Sequence, residues 1–301
     1  MAQTENDMPT SCRQPILQVL ICTYGYEGLQ RVAASSHPKV DGVEYIVSIQ
    51  QDPDADEHPA PKELNRDDFK LFVNLTKGLS INRNVALSLS SAPLLLISDD
   101  DVDYTEEGLR NVIDAFHRHK DMDIIAFRYT SMSHEKSYPS SPCNLDKPTK
   151  GYFVTSFEIA LRRESVQGKI WFNENFGIGA MFPAGEEELF IRDCLDAGLK
   201  GIFIPITIAR HDSKTTSNRN LMMTSRPQTK GAVLLRLHPK DWPLRMIVHT
   251  LREIPLWKKG LVPSPISYSR NWLKGVRLAR KMKVFPTPDY SLYYQRNDKR
   301  R

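Results

Sequence analysis

"LLLISDDDVDY", residues 94–104, decides the fold. From Leu94 to Ser98 the chain holds four aliphatics in five residues, the composition of a strand buried on both faces. Asp99, Asp100 and Asp101 follow at once, and Asp103 stands one residue further on. Carboxylates within about 5 Å of one another repel by roughly 3 kcal/mol per pair at an effective dielectric near 20. That repulsion is tolerable where the side chains fan into water, and useful where a divalent cation replaces the water. An acidic turn that only ends the strand and caps the next helix accounts for the same triplet.

Outward from this stretch, strands and helices alternate. Residues 16–22 (ILQVLIC), 43–49 (VEYIVSI), 70–75 (KLFVNL) and 123–128 (DIIAFR) read as strands. Helices fit between them. Ser80 is placed to cap one that runs through "INRNVALSLSS". Thr105 is placed to cap the next, with Glu106 and Glu107 in its first turn and Leu109, Val112, Ile113 and Phe116 as one buried stripe. Residues 131–150 are rich in Ser, Pro and Lys and interrupt the pattern, as a functional or mobile loop does. Strand character returns at "YFVTSFEIALRR" and at residues 201–209 (GIFIPITIA), with a helix from Glu186 to Ala197 between them, stopped by Gly198. Such alternation predicts an α/β fold with a mixed, mostly parallel sheet flanked by helices. In open sheets of this kind ligands bind beyond the carboxyl ends of the strands, where the aspartates lie. The D-x-D spacing puts Asp99 and Asp101 on one side of an extended chain. One can hold a hard cation while the other accepts hydrogen bonds from a sugar hydroxyl.

Two further features carry chemistry. Glu186, Glu187 and Glu188 open an amphipathic helix, where the macrodipole stabilises acidic residues whatever their role. The same field keeps a carboxylate ionised and ready to take a proton from a hydroxyl nucleophile. His211 follows the last strand; an imidazole beside two aspartates suits Mn²⁺ better than Mg²⁺.

Charge is unevenly spread. Of 41 basic and 36 acidic residues, 18 and 4 fall from Arg226 to Arg301, a surplus of +14, leaving 23 and 32, or −9, in the preceding 225 residues. Two stretches of this basic tail are amphipathic: "WPLRMIVHTLREIPLW", with Leu244, Ile247, Val248, Leu251 and Ile254 on one face, and "RNWLKGVRLARKMK", with Trp272, Val276 and Ala279 among cations. A Trp-anchored basic helix suits an anionic bilayer surface; packing of both helices on the acidic body is the alternative. No nucleic-acid-binding motif is present. Residues 1–14 are polar, without the apolar core of a secretory signal, and read as a disordered N-terminus. No apolar run approaches the roughly 20 residues of a membrane span. The expectation is a cytoplasmic protein, peripheral at the cytoplasmic face of a membrane. Cys12, Cys22, Cys143 and Cys194 are scattered, which indicates neither disulfides nor a zinc knuckle.

In order and spacing these pieces resemble the inverting, nucleotide-sugar-dependent glycosyltransferases of family 2, with the GT-A fold, over roughly residues 15–225. "VLICTYGYEG" stands where the family has its first strand and "TYN"-like loop. "GLSINRNVAL" is similar to its "GLSxARN" element, "LISDDDVDY" to its D-x-D, and "GEEELFIRDCLDAG" to its "GED" base motif and following helix. The resemblance implies a catalytic domain over 15–225 and a set of roles, while composition and amphipathic spacing make 226–301 a basic helical extension. Asp101 and His211 would hold a Mn²⁺ or Mg²⁺ ion on the donor diphosphate. Thr23, Tyr24, Gly25, Gln51, Asp52, Arg83, Asn84, Asp99 and Asp100 would line the nucleotide-sugar site. Glu187 would be the base, with Glu186 and Glu188 as alternatives, acting on a glycan or lipid-linked acceptor. Where the family carries an acidic "DDGS", this chain has "SIQQDPD", so Gln50, Gln51 and Asp52 are the candidates to read the nucleobase. Other readings are a sugar nucleotidyltransferase, or a non-catalytic scaffold held at a membrane by the tail.

Overall fold

The run of aliphatics at residues 94–98 does become an interior strand, and what lies either side of it sets the whole topology. In a computed structural model, residues 14–56, 58–132, 136–212, 225–282, 290 and 294–296 are described. The expected disordered segment 1–14 lies outside them, except for its last residue. The chain opens with β1 (Leu17–Tyr24), α1 (Gly25–Ala34), β2 (Val43–Gln50), β3 (Phe69–Asn74), α2 (Leu79–Leu89) and β4 (Leu94–Ser98). β2 pairs with β1, and β3 with β2, all parallel; α2 then carries the chain back so that β4 pairs with the other side of β1. The direction of winding therefore reverses between β1 and β4, which makes their carboxyl ends the crevice of the sheet. Ile21 is in register with Ser98, so Asp99–Asp101 leave the sheet beside Cys22, Thr23 and Tyr24.

The second half follows as β5 (Asp103–Tyr104), α3 (Glu106–Arg118), β6 (Ile124–Thr130), β7 (Cys143–Asn144), β8 (Ile159–Arg162), α4 (Arg163–Val166), α5 (Glu186–Asp196) and β9 (Gly201–Arg210). β8 joins β4 antiparallel, β6 joins β8, β9 runs parallel to β6, and β5 and β7 pair with β9. The tail supplies α6 (Ser225–Leu237), α7 (Trp242–Lys258), α8 (Pro265–Ala279) and β10 (Tyr294–Arg296). β10 returns to pair antiparallel with β3, a strand that the helical reading of the tail did not anticipate.

Period-two geometry explains the unbroken apolar runs. Val19, Ile21, Leu94 and Leu96 face a core closed by Leu109, Val112 and Phe116 of α3. Leu20, Cys22, Leu95 and Ile97 face the opposite core, closed by Ala86 and Leu87 of α2 and by Phe190 and Cys194 of α5. Cys22 is thus a core residue, and burial pushes its thiol up to about 12. The Thr105 cap forms as the sequence predicts, its hydroxyl accepting from the Gly108 amide at 3.0 Å. Ser80 is not a cap: α2 starts one residue earlier, and the Ser80 hydroxyl donates to the Phe176 carbonyl at 2.6 Å. Of the strand expected at residues 152–163, only Ile159–Arg162 pairs. A single 3₁₀ turn, Ser156–Glu158, precedes it, and the Glu158 carboxylate caps it by accepting from the Thr155 backbone N–H at 2.7 Å.

α6, α7 and α8 share their own core, in which Trp272 and Tyr268 pack with Leu234, Leu235, Trp242 and Met246. Trp272 and Val276 are therefore buried rather than displayed as an exposed anchor: amphipathic spacing reveals an apolar face but not what covers it. Among the described residues, no helix is long and apolar enough to cross a membrane. α6 docks on α5, with Arg236 on Asp193 at 2.8 Å.

α3 is held hard against β9. A Cβ on Gly108 would lie 2.2 Å from the Ile208 carbonyl oxygen. Gly108→Ala should destabilise the protein by about 2 kcal/mol through overpacking, read as a lower urea midpoint with an unchanged slope.

Candidate active site

Each of the three adjacent aspartates is engaged from a different direction. Asp100 points back to the first loop: it accepts from Thr23 Oγ1 at 2.5 Å, and from Arg31 Nη2 at 2.8 Å and Nε at 3.1 Å. The contact needs Gly28, because a Cβ there would fall 2.0 Å from Thr23 Oγ1. Asp100, expected on the donor, is thus occupied in tying the β1–α1 loop to the end of β4.

Asp99 meets Arg83. Its Oδ1 takes Arg83 Nη2 at 2.9 Å, and its Oδ2 accepts from the Ser156 hydroxyl at 2.8 Å. Arg83, on α2 with its side chain 1% exposed, sits over the Phe172 ring and reaches α5 with its other nitrogen: Nη1 lies 3.0 Å from Glu186 and 3.5 Å from Glu187. Burial works against the guanidinium charge, but the carboxylates of Asp99, Glu187 and Glu186 outweigh it and raise the pKa. Three carboxylates are thereby brought to one cation, which makes a buried charge tolerable.

α5 is preceded by Gly185, whose φ of +95° favours glycine and where a Cβ would meet Val233 of α6 at 2.5 Å. The three glutamates after it divide. Glu186 is buried against Arg83 and Glu188 is exposed. Glu187 lies between, its side chain 23% exposed, with only the long contact to Arg83. Removal from water, and then the Glu186 charge, lift its pKa well above the usual carboxylate range, with Arg83 opposing. Raised in this way, the carboxylate is a stronger proton acceptor once it is ionised.

Asp101 faces His211, with Oδ1 3.0 Å from Nε2. The imidazole is buried, packed on Phe157 and edge-on to Tyr129. Burial disfavours its protonation, but the hydrogen bond and charge of Asp101, with Asp99 and Asp212, leave its pKa raised. Among the described residues no group of three His, Cys, Asp or Glu side chains is arranged to hold a metal. Asp101 and His211 together offer one hard oxygen and one imidazole nitrogen. That set fits Mn²⁺ or Mg²⁺ when ligand oxygens and water complete the shell.

The remaining predicted residues divide between rim and scaffold. At the rim, the exposed Tyr24 hydroxyl bonds the Asp52 carboxylate, Gly25 starts α1, and the Tyr26 and His58 rings stack at 4.4 Å. The Gln51 amide donates to the Asn74 carbonyl at 3.0 Å. Gln50 is buried, its side chain bonded to Thr76 and the Gly78 carbonyl. Asn84 serves the scaffold: its side chain pairs with the Phe172 backbone on both sides and with the Tyr290 hydroxyl.

Three contributors escaped sequence reasoning. Asn82, buried, donates to the Thr23 and Ser48 carbonyls and accepts from Ser48 and Asn74, joining the ends of β1, β2 and β3. A polar residue two positions before the buried Asn84 was the available signal. Ser156 lay in a stretch read as strand. Glu158, wholly buried, pairs with Lys136 Nζ at 2.5 Å and with the Tyr138 hydroxyl, and so fixes the turn that carries Ser156.

The model of the family described as "Glycosyl transferase family 2" matches residues 19–182. No curated protein matches the chain in sequence. Among solved structures, S. aureus TarS 1-349 in complex with UDP is similar at 16% identity and a TM-score of 0.52, over 91% of this chain and 94% of that one. The same TarS fragment in complex with UDP-GlcNAc is similar at 15% identity and a TM-score of 0.53, over 90% and 93%. Against a longer TarS structure the match, at 16% identity and a TM-score of 0.51, spans 88% of this chain and 55% of that one. At such identities the likeness shows the fold: a mixed, mostly parallel GT-A-like sheet flanked by helices.

Removing Arg83 leaves buried carboxylates without a counter-charge. Arg83→Met should lose about 3 kcal/mol of stability, measured by urea denaturation, and adding Glu186→Gln should restore part of it.

Proposed function

The chain belongs to glycosyl transferase family 2, and from that premise we propose that it moves a sugar from a nucleoside-diphosphate donor to an acceptor hydroxyl, in one inverting displacement. The observation that carries this reading is the Arg83 bridge, which holds a donor-side carboxylate, Asp99, and the α5 carboxylates in one network at the sheet's switch point.

In this reading the nucleotide lies over the carboxyl ends of β1 and β2, with Thr23, Tyr24, Gly25, Gln51 and Asp52 on its base and ribose side. Asp99, oriented by Arg83 and Ser156, accepts from a donor hydroxyl. Asp101 and His211 are the residues that would hold Mn²⁺ or Mg²⁺, an ion that when bound neutralises charge on the diphosphate. Glu187 takes the proton from the acceptor hydroxyl. The acceptor oxygen bonds to the anomeric carbon, the bond from that carbon to the diphosphate oxygen breaks, and nucleoside diphosphate leaves with the electron pair. Attack opposite the leaving group inverts the anomeric centre. We assign the acceptor as a glycan or lipid-linked glycan in polysaccharide assembly, at the cytoplasmic face of a membrane. A sugar nucleotidyltransferase draws no support from the first loop: Gly28 lies within α1 and packs on Thr23 instead of cradling phosphate.

Two outcomes test the reading. Nucleoside diphosphate release from the donors UDP-sugar, GDP-sugar, CDP-sugar and dTDP-sugar should occur with one of them, require Mn²⁺ or Mg²⁺, and fall roughly a hundredfold or more in Asp101→Asn, the scale of a lost transition-state charge contact. A folded Asp101→Asn protein with undiminished turnover removes the assigned role. Because Glu187 must be ionised to accept a proton and its pKa is raised, kcat should be low at acid pH and rise along a limb displaced well above the ordinary carboxylate value of about 4.3. Glu187→Gln should abolish turnover; a limb at the ordinary position would point to another base.

A further inference from the structure

α7 turns its two sides to different surroundings. On the inner side the His249 ring lies 5.7 Å from Trp272 and the Glu253 carboxylate lies 3.8 Å from the Arg226 guanidinium, so this side is seated on α6 and α8. On the outer side Leu244, Ile247, Val248 and Leu251 are 63%, 52%, 39% and 57% exposed. Helical geometry gathers these four side chains into an arc of about 100°, a continuous apolar stripe over two turns. Scattered exposed aliphatics are ordinary on a protein surface; a stripe of this kind on one helix marks a contact surface.

The charges around the stripe identify what it contacts. Arg252, Lys258 and Lys259 are exposed on the same helix and at its end. Its acidic residue, Glu253, is buried on the opposite side, and Asp241 before the helix is paired with Arg245 at 2.8 Å. The chain from Arg226 onward carries 18 Lys and Arg against 4 Asp and Glu. An apolar stripe flanked by cations and free of carboxylates is complementary to the boundary between lipid phosphates and acyl chains.

We propose that the outer face of α7 lies in the plane of an anionic lipid bilayer surface, aliphatic side chains inward and cations among the headgroup phosphates. α7, and not the Trp272 helix α8, is the membrane-facing element. The inference rests on the proposed function for its purpose alone. α7 belongs to the helical unit whose α6 meets α5 through Val233 at Gly185 and Arg236 at Asp193. Seating α7 on lipid therefore sets the height of the Glu187 end of α5 above an acceptor in the same leaflet.

The test is sedimentation of the full chain with vesicles of phosphatidylcholine alone and of a phosphatidylcholine–phosphatidylglycerol mixture. The expected result is binding to the mixture only, weakened by added salt. In Ile247→Asp/Leu251→Asp the affinity should fall about tenfold or more, since two apolar contacts are replaced by carboxylates beside an anionic layer. The variant should keep the wild-type unfolding midpoint, because both side chains are already half exposed. Absence of binding to the anionic vesicles, or equal binding by the variant, overturns the proposal. So does a wild-type chain that ignores lipid and self-associates in sedimentation velocity while the variant stays monomeric, which would make the stripe a contact between copies. A chain that binds vesicles but releases no nucleotide would fail the transferase reading and leave this one standing.

Discussion

A single buried guanidinium organises this molecule. Arg83 comes from α2, the segment that carries the chain back across the sheet, and it meets Asp99 at the end of β4 and Glu186 and Glu187 at the start of α5. These carboxylates approach from elements about a hundred residues apart in sequence. Without a cation among them their mutual repulsion would push the two halves of the crevice open. With it, the distance between the end of β4 and the start of α5 is set by one rigid, planar group. Phe172 beneath the guanidinium and Ser156 beyond Asp99 remove the remaining freedom.

The aspartate triplet resolves its own repulsion by division of labour. Asp99 turns to Arg83, Asp100 to Thr23 and Arg31, Asp101 to His211. Each partner belongs to a different element: α2, the β1–α1 segment, and the end of β9. The same three contacts tie α2, the β1–α1 segment and the end of β9 to the end of β4 at the switch point. A cluster of like charges therefore works as a junction, and Asp101 is the one whose partner, His211, is itself a metal-type donor.

Much of this was legible in the sequence. Aliphatic runs of strand length separated by 3.6-period stripes dictated an α/β sheet, and the acidic triplet after the fourth run marked the crevice. Thr105 announced its cap, and the order of the motifs pointed to Arg83, Glu187 and His211. What escaped was long-range. Nothing local says that Asn82 should join three strand ends, or that Lys136 should pair with Glu158 across 22 residues to hold Ser156 in place. Asn84, expected at the donor, faces the Phe172 backbone because successive helical residues diverge by about 100°. Trp272 shows the complementary limit. Its periodicity specifies an apolar face, but α8 turns that face to protein while α7 turns a similar one outward, and only packing distinguishes them.

The Asn84–Tyr290 contact spans 206 residues, and the Tyr290 hydroxyl also bonds Glu174. On the ribosome the first parallel strands and α2 emerge long before Tyr290 is made. Until then the amide beside Arg83 lacks one of its partners, and the segment around Trp171 and Phe172 lacks the aromatic ring that packs on it. Completion of the crevice thus waits until Tyr290 has been made. The parallel strands can form vectorially, but the platform beneath the central cation is locked only when the segment carrying Tyr290 folds back onto Asn84 and Trp171.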